Sequence, residues 1–315
     1  MKVAILESLA VSQEELQRRK APFEEKGVEF VEFERTTDKD KLIEEAKDAD
    51  AIIIANMSMP GEVISALDQL KFIDVAFTGV DHVGLEAART NNIAVSNASG
   101  YSNEAVSELV FGMTISLARN IRQTEDRCRE GKTKDGLVGW EIKGKTVGIV
   151  GYGKIGSRTA ELFHAFQANI LIYDPIELKN KPDYIEQTSL DDLLGRADIV
   201  VLHCPLIDAT RGMINAEKIA LMKKTAVLIN VARGPVVVAQ DLADALNNGV
   251  IAGAGIDVFD GEPPLDLNEP LLHCKNALVT PHIAFASEQS MSLRAEIVFD
   301  NLAAWMDGNQ KNIIL

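Results

Sequence analysis

The sequence contains few cysteines, and their arrangement excludes two common uses of this residue. Its three cysteines, Cys128, Cys204 and Cys274, are odd in number and scattered along 315 residues. No Cys-x-x-Cys pair and no Cys/His spacing typical of a metal site occurs. Scattered thiols are typical of a reduced, intracellular protein, so we predict neither a disulfide framework nor a bound metal.

Two further features are missing: a surplus of basic residues and a long apolar segment. The formal net charge of -15 argues against binding to nucleic acid or to anionic membrane surfaces, because both need basic faces. The apolar start of the chain, MKVAILES, is too short for a signal peptide, and no later run reaches the length of a membrane span. The sequence therefore predicts a cytoplasmic protein with neither nucleic-acid nor membrane partners.

What the sequence does contain is a regular alternation of short β-branched runs with amphipathic helical stretches. Such alternation is typical of a parallel sheet with helices on both faces. It occurs in two series, and 315 residues are enough for two domains. We therefore predict an α/β fold of two doubly wound parallel-sheet domains. The predicted strands are KVAILE, EFVEFE, AIIIAN, FIDVAFTG and IAVSN in the first series and TVGIVG, NILIYD, DIVVLHCP, TAVLINVAR, GAGIDVF and ALVTP in the second.

The connections between the two series indicate how the chain is divided. A helical pattern from Ser102 to about Glu130 predicts one long crossing helix, after which the chain enters the second domain at Lys145. The last helical stretch follows Ser287, a suitable N-cap, and no strand comes after it. We expect this helix to return to the first domain, which makes that domain discontinuous.

The stretch TVGIVGYGKIGSRTAELF carries the glycine spacing of a dinucleotide-binding turn. Gly151 allows the tight turn, Gly153 lets the backbone approach a pyrophosphate, and Gly156 lets the helix pack closely on the strand. The N-terminus of the following helix offers free N–H groups to the phosphates. Asp174 closes the next predicted strand, where it accepts hydrogen bonds from ribose hydroxyls and repels a 2′-phosphate. The pattern predicts NAD as the cofactor.

Several polar residues lie at the carboxyl ends of predicted strands, where ligands of open α/β sheets bind. Hydride transfer to a 2-oxo acid needs a cation for the carboxylate, which Arg233 supplies, and an acid for the carbonyl oxygen. Two histidines at strand ends, His203 and His282, fit the acid role, and spacing alone does not separate them. Glu262 is suited to orient an imidazolium. Taken singly, Arg233 also fits a surface salt bridge and Glu262 a solvated turn.

Taken together, the motifs resemble those of the D-isomer-specific 2-hydroxyacid dehydrogenases. The resemblance covers essentially the whole chain and rests on GYGKIG, HCPLIDATRGMI, NVARGPVV, DVFDGEPP and TPHIA, in the family's order. It implies a flavodoxin-like substrate domain of residues 1–100 plus 285–315, a Rossmann cofactor domain of residues 101–284, and an active site in the cleft between them. It also implies a homodimer. Trp140 falls in the segment that resembles the family's dimer arm, and an ordinary packed tryptophan is the alternative.

The same resemblance distributes roles among the candidate residues. His282 resembles the family's general acid/base, paired with Glu262, so His203 loses the acid role, and Arg233 resembles the cation that binds and polarises the substrate. The backbone of Thr78 and Gly79, in FTGVDHVGL, resembles the family's carboxylate-binding loop. Where the family usually has an acidic residue this chain has Gly84, for which we expect only a structural effect. The residues assigned to NAD are Tyr101, Val106, Gly151, Gly153, Lys154, Ile155, Gly156, Asp174, His203, Pro205, Thr210, Val231 and Asp257.

The stretch IIIANMSMPGEVI bears on the identity of the substrate, because the resemblance places it against the substrate's side chain. It contains Met57 and Met59 but no Lys or Arg, so it favours a small or apolar 2-oxo acid of the D-lactate or 2-hydroxyisocaproate type. The alternative is that the two methionines pack in the core, which is the more common use of methionine on such a loop. Phe285 is a candidate for a further apolar wall. The alternatives are 3-phosphoglycerate oxidation and glyoxylate or hydroxypyruvate reduction. In a different class, the same fold serves as a non-enzymatic NAD-sensing module. Beside the cofactor, we expect Cys204 to be a buried, inert thiol.

Overall fold

The computed structural model describes residues 1–261 and 263–315. The chain divides into two compact units. Unit 1 comprises Met1–Ser102 and Ala286–Leu315, and unit 2 comprises Asn103–Phe285. The C-terminal segment thus belongs with the N-terminal residues, and unit 1 is built from two separate stretches of the chain.

Unit 1 is built on a parallel sheet of five strands, β1 to β5, in the order β2-β1-β3-β4-β5. The strands are β1 (Lys2–Ile5), β2 (Glu29–Glu32), β3 (Ala51–Ile54), β4 (Phe72–Val75) and β5 (Ala94–Asn97). This is the flavodoxin-like order, in which the chain starts inside the sheet and reverses direction once. The first four helices of the unit are α1 (Gln13–Glu24), α2 (Lys39–Ala46), α3 (Gly61–Ser65) and α4 (Leu85–Thr90).

The two central strands of unit 1 are apolar and fully covered. Every residue of β3 and β4 is buried, including the carboxyl group of Asp74, as expected for parallel strands with helices on both faces. The exposed edge of β5 is paired by the C-terminal tail, which runs antiparallel to it through a bridge between Ser96 and Ile313. This one antiparallel pairing was not predicted, because nothing in the tail sequence reads as a strand.

Unit 2 contains a parallel sheet of seven strands, β6 to β12, in the order β12-β11-β10-β9-β6-β7-β8. The strands are β6 (Thr146–Val150), β7 (Asn169–Tyr173), β8 (Ile185–Gln187), β9 (Ile199–Leu202), β10 (Val227–Asn230), β11 (Gly253–Ile256) and β12 (Ala277–Val279). The reversal between β6 and β9 creates the switch point at which doubly wound sheets bind dinucleotides. Its helices are α5 (Asn103–Ala118), α6 (Ile121–Arg129), α7 (Lys154–Ala165), α8 (Leu190–Arg196), α9 (Ala216–Ala220) and α10 (Ala239–Asn247).

The prediction of one long crossing helix was wrong. The pattern from Ser102 to Glu130 forms two helices, α5 and α6, which are separated at Asn120. Asn120 has a left-handed backbone with φ of 50°, and asparagine tolerates this conformation better than most residues. The short strand β8 was also missed, since three residues are too few to show a periodicity.

The last helix, α11 (Glu288–Met306), belongs to unit 1 and begins as the sequence predicted. Ser287 is its N-cap, and a capping box joins the side chains and backbone of Ser287 and Ser290. In the described part of the chain, no helix combines the length and apolarity that crossing a membrane requires. Nor do the described side chains include a group of His, Cys, Asp or Glu arranged to hold a metal ion.

Candidate active site

The dinucleotide-binding turn has the geometry that its three glycines predict. Gly151 has φ of 94°, and a Cβ there would lie 2.9 Å from the backbone of His203. A Cβ on Gly156 would lie 2.1 Å from the carbonyl oxygen of Gly151, so the start of α7 packs directly on the turn. A Cβ on Gly153 would have no neighbour within 4 Å. Gly153 therefore presents open backbone at the N-terminus of α7, together with the first-turn N–H groups of Lys154, Ile155 and Gly156.

Asp174 follows β7 and is bonded to this turn. Its Oδ2 accepts a hydrogen bond of 2.9 Å from the N–H of Tyr152, and its Oδ1 accepts one of 3.0 Å from the N–H of Ile176. Arg158 on α7 donates hydrogen bonds to the carboxylates of Glu104 and Glu161. A carboxylate is therefore bonded directly to the glycine turn, and its contact with the adenosine ribose stays a prediction.

His203, just after β9, is held as a neutral side chain. Its Nε2 lies 2.9 Å from Oγ1 of Thr159 on α7, and that hydroxyl donates to Ser107 of α5. Although part of the residue's surface is accessible, burial of the ring lowers its pKa to about 3. A histidine that stays unprotonated near neutral pH is a poor general acid, so the structure places His203 in the support of the turn. It does not supply a proton at this position.

The remaining residues assigned to NAD lie on buried or ordered segments. Oγ1 of Thr210 donates to the carbonyl of Pro205 at 2.6 Å and accepts from Ile207, which closes the loop after β9. Tyr101 in unit 1 and Val106 and Val231 in unit 2 are at most 9% exposed. Burial fixes the backbone at these positions, and their contact with NAD stays a prediction.

Cys204 is buried, as predicted. Burial raises the pKa of its thiol to about 11. At neutral pH the group is therefore a protonated, unreactive thiol. All three cysteines are free.

His282 lies on a turn that the carboxylate of Asp257 organises. Asp257 follows β11 and is completely buried, and its two oxygens accept the N–H groups of Ile283 and Ala284 at 2.8 Å each. The N–H of His282 donates to the carbonyl of Asp257 at 2.8 Å, and His282 has φ of 56°. A left-handed backbone conformation is uncommon for a residue other than glycine, and it needs such support. The turn therefore fixes the backbone from which the imidazole of His282 projects.

The imidazole of His282 is partly exposed and has an aromatic neighbour. The ring of Phe285 meets it edge-on, with centroids 5.4 Å apart and planes at 88°. Phe285 was predicted as an apolar wall, and it contacts the histidine. Both carboxylate oxygens of Asp257 are bonded to the turn, so its contact with a nicotinamide stays a prediction.

Arg233 follows β10 on a backbone that is packed against the loop after β11. A Cβ on Gly234 would lie 1.9 Å from the carbonyl carbon of Phe259, so only glycine allows the two loops to touch. The buried side chain of Asn230 accepts from the N–H of Ala232 and donates to the carbonyl of Arg233. The half-buried Arg233 is thus rigidly positioned beside the segment that leads to residue 262. Glu262 itself lies outside the described residues.

In unit 1, the predicted carboxylate loop presents backbone donors. In the described chain, neither the N–H of Thr78 nor that of Gly79 donates to a protein acceptor. Both residues are partly exposed, directly after the buried strand β4. Adjacent N–H groups without acceptors, at the carboxyl end of a parallel sheet, form a ready site for an anionic oxygen.

Gly84 stands where the family usually has an acidic residue, and the absence of a side chain at this position has a steric explanation. A Cβ at Gly84 would lie 2.4 Å from the backbone nitrogen of Gly61 at the start of α3. The N–H of Gly84 donates to the carbonyl of Met59, and the N–H of Met59 donates to the carbonyl of His82. The loops after β3 and β4 are therefore joined by backbone contacts that leave no room for a side chain.

The loop after β3 is not lined by its methionines. Met57 and Met59 are both completely buried, so they pack in the core, and the apolar substrate pocket inferred from them loses its support. The same loop is held by Glu7, whose Oε2 accepts the N–H groups of Ala55 and Met57 at 2.8 and 2.9 Å. Oε1 of Glu7 lies 3.4 Å from Nε of Arg35.

Sequence reasoning missed four polar residues that hold other groups of the protein in place by hydrogen bonds. They are Glu7, Asn97, Thr159 and Asn230. Only a polar residue at the end of an apolar strand signals such a role, and Glu7, Asn97 and Asn230 all occupy that position.

The turn before α7, the carboxylate after β7 and the polar groups at the strand ends of unit 2 define a class of protein. It is an α/β oxidoreductase that binds a dinucleotide at the switch point of a Rossmann sheet. A family model described as "D-isomer specific 2-hydroxyacid dehydrogenase, NAD binding domain" matches residues 111–284. The chain belongs to the D-isomer specific 2-hydroxyacid dehydrogenases and is an NAD-dependent oxidoreductase.

Individual relatives are similar along most of their length. A glyoxylate reductase of Thermofilum pendens is 38% identical over 86% of this chain and 82% of its own. A hydroxypyruvate reductase of Blautia hydrogenotrophica is 34% identical over 91% of this chain and 92% of its own. Among solved structures, the D-lactate dehydrogenase of Aquifex aeolicus complexed with NAD and lactic acid matches with a TM-score of 0.85 and 30% identity, over 98% of this chain and 96% of its own.

Proposed function

We propose that this enzyme reduces a small 2-oxo acid, of the size of glyoxylate or hydroxypyruvate, to the D-2-hydroxy acid and runs the reverse oxidation. The observation that carries the proposal is the rigid placement of His282, a histidine on a left-handed turn that Asp257 holds through three backbone groups. Such a turn costs free energy and supports a residue whose position matters.

The reduction assigns each named residue one task. NADH supplies the hydride when it is bound. Arg233 binds the substrate with its planar guanidinium and polarises the carbonyl. The N–H groups of Thr78 and Gly79 are donors for a substrate carboxylate. His282 gives a proton from its imidazolium to the carbonyl oxygen as the hydroxyl forms, and it takes that proton back in the oxidation. Glu262 is the proposed partner that keeps the imidazolium oriented.

The substrate assignment follows from the loop after β3 and from the names of the relatives. With Met57 and Met59 in the core, Ser58 between them is exposed. A serine offers neither an apolar wall nor a cation, which favours a short substrate without a phosphate. The relatives named glyoxylate reductase and hydroxypyruvate reductase support the same choice. This choice replaces the D-lactate or 2-hydroxyisocaproate type as the first candidate.

Two assignments about the cellular context accompany this function. The three free cysteines, one of them exposed at Cys128, fit a reducing cytoplasm. The homodimer expected from the family resemblance is part of the proposal as well. Trp140, in the segment resembling the dimer arm, is partly buried against the apolar core of unit 2, and its place in a dimer arm stays a prediction.

The test is NADH oxidation across a panel of 2-oxo acids. The panel contains glyoxylate, hydroxypyruvate, pyruvate, 2-oxoisocaproate, phenylpyruvate and 3-phosphohydroxypyruvate. We expect kcat/KM for glyoxylate or hydroxypyruvate to exceed that for the branched, aromatic and phosphorylated acids by about tenfold or more, because one misfitting group costs about 1–3 kcal/mol. A phosphorylated or bulky acid as the best substrate would overturn the substrate assignment.

The panel also tests the non-enzymatic alternative. An enzyme oxidises many equivalents of NADH, whereas an NAD-sensing module binds NADH and leaves it unchanged. Tight NADH binding without turnover on any acid of the panel would favour the sensing module.

A further inference from the structure

The carboxylate loop of unit 1 is attached to the neighbouring strand by two hydrogen bonds from consecutive residues. The N–H of Ala98 donates to the carbonyl of Phe77 at 3.0 Å. The side-chain Nδ2 of Asn97 donates to the carbonyl of Thr78 at 2.7 Å. The acceptor is a carbonyl oxygen, so the group of Asn97 that faces it must be the amide NH2.

These bonds determine where the loop's own N–H groups point. A peptide unit is planar and trans, so its C=O and its N–H point in opposite directions. The carbonyl of Phe77 shares a peptide with the N–H of Thr78, and the carbonyl of Thr78 shares one with the N–H of Gly79. Anchoring both carbonyls to β5 therefore turns both N–H groups away from it, and these are the donors that have no acceptor in the described chain.

The backbone of Asn97 is itself held by hydrogen bonds through both its N–H and its carbonyl. Its N–H donates to the carbonyl of Asn312 at 3.1 Å, and its carbonyl accepts from Nδ2 of Asn301 at 3.0 Å. Asn301 is completely buried on α11, where it also donates to Oδ1 of Asp74 and accepts from Nδ2 of Asn312. Asn97 is only 7% exposed. Its amide is therefore not a surface group that found a partner by chance, because a buried network fixes its backbone.

We propose that Asn97 is a positioning residue for the substrate carboxylate: its side-chain amide fixes the Thr78–Gly79 peptide so that the loop presents its N–H groups to the 2-oxo acid. This inference rests on the proposed function, since it takes the carboxylate as the group that the loop binds. Asn97 does not touch the reacting atoms. It acts through the peptide between Thr78 and Gly79.

The substitution Asn97→Asp tests this role. It keeps the shape of the side chain but turns a carboxylate oxygen towards the Thr78 carbonyl, which repels it. Carboxylate binding contributes to the ground state and the transition state alike, so its loss raises KM more than it lowers kcat. We expect KM for glyoxylate to rise about tenfold or more, with kcat lowered by less than about threefold and NADH affinity changed by less than about twofold.

The matched control is Asn91→Asp. Asn91 is exposed at the end of α4, and its Nδ2 donates to the carbonyl of Ala87 at 2.8 Å, so it makes the same kind of bond away from the loop. We expect wild-type kinetics from this variant. If Asn97→Asp does not fold, Asn97→Ala removes the donor without adding a charge, and the same rise in KM is expected.

A merely structural role predicts a different pattern. In that case the variant loses melting temperature and active fraction, while KM for glyoxylate stays at the wild-type value, and this result would overturn the inference. Binding of oxamate, a non-reacting 2-oxo acid analogue, to the NADH complex provides a second readout by calorimetry. If the wild type binds oxamate but turns over no acid, the proposed function is refuted. In that case, weaker oxamate binding by Asn97→Asp than by the wild type still supports the positioning role of Asn97. A wild type that does not bind oxamate overturns both.

Discussion

The two units use the same parallel α/β architecture, but they prepare their ligand sites by different means. In unit 2, the groups that matter are side chains and glycines close together in sequence, such as Gly151, Gly153 and Gly156 before α7. In unit 1, the groups are backbone N–H donors of Thr78 and Gly79, which have no distinctive side chain. The Thr78 carbonyl accepts a hydrogen bond from the side chain of Asn97, and Glu7 holds the separate loop after β3.

This difference determines what a substitution does. In unit 2, replacing a single side chain removes a chemical group from the site. In unit 1, replacing a side chain such as Asn97 is expected to shift the backbone that we propose binds the substrate. The predictions below compare these two kinds of site, in order of decreasing effect.

Among the variants that compare the two units, the largest effect is expected from Arg233→Lys in unit 2. Lysine keeps the positive charge but loses the planar pair of donors that matches a carboxylate. We expect kcat/KM for the 2-oxo acid to fall about 100-fold or more, since one positioned donor at a reacting carbonyl is worth about that much. Steady-state kinetics at fixed NADH measures it. The exposed Arg211 provides the matched control, Arg211→Lys, and a similar loss in both variants would contradict the role of Arg233.

Asp174→Ala is expected to change cofactor choice and little else. The substitution removes the carboxylate that we expect to accept hydrogen bonds from the ribose hydroxyls and to repel a 2′-phosphate. We expect the ratio of kcat/KM for NADH to that for NADPH to fall about tenfold or more, which is the loss of about 1.4 kcal/mol of discrimination. The exposed Asp183 gives the control Asp183→Ala. An unchanged ratio would refute the assignment of Asp174.

Glu7→Gln tests indirect support in unit 1. An amide accepts more weakly than a carboxylate from the N–H groups of Ala55 and Met57, and each charge-assisted bond made neutral loses about 1 kcal/mol. The loop after β3 should loosen, so we expect KM for the 2-oxo acid to rise about fivefold with NADH affinity unchanged. Exposed Glu14 supplies the control Glu14→Gln. A change in NADH affinity larger than that in KM would show that the two units are not supported independently.

The smallest effect concerns His203 and acid stability. Its pKa in the folded protein is lowered to about 3, whereas the unfolded chain takes up the proton near its ordinary value of 6.5. Between these values the unfolded chain binds more protons, so this histidine makes the protein less stable as the pH falls below 6.5. When the pH is lowered from 7 to about 5, we expect the melting temperature of His203→Gln to fall less than that of the wild type. The difference between the two falls should be a few degrees at most.

The control for this comparison is His273→Gln. His273 is exposed and bonded through Nε2 to the carbonyl of Leu267. On acidification, the melting temperature of His273→Gln should fall by as much as that of the wild type. If His203→Gln and His273→Gln behave alike, the ring of His203 is not held neutral by burial.

The same contrast explains what the sequence predicted well. The glycine turn, Asp174, Arg233 and His282 lie within short motifs whose spacing reflects a local backbone geometry, and the structure places each at a strand end. Ser287 likewise predicted the start of α11, because capping depends on residues within one turn.

What the sequence did not predict depends on residues that are distant in the chain. The bond from Asn97 to Thr78 joins positions 19 apart, and the bonds from Glu7 join positions 48 and 50 apart. No local pattern encodes such a partner. The burial of Met57 and Met59 agrees with the core packing that the sequence left open as an alternative, and the sequence alone did not decide it because their neighbours come from the folded unit. The break at Asn120 was missed because helix periodicity continues on both sides of it.

The central claim is that His282 supplies the proton in an NADH-dependent reduction, and the most direct test compares His282→Ala with His273→Ala. We predict that His282→Ala lowers kcat for the best acid of the panel about 1,000-fold, within the range for loss of a general acid, while NADH affinity stays at the wild-type value. His273→Ala should retain full activity. Turnover by His282→Ala within about tenfold of wild type, with hydride transfer shown to be rate-limiting by a deuterium isotope effect, would contradict the account.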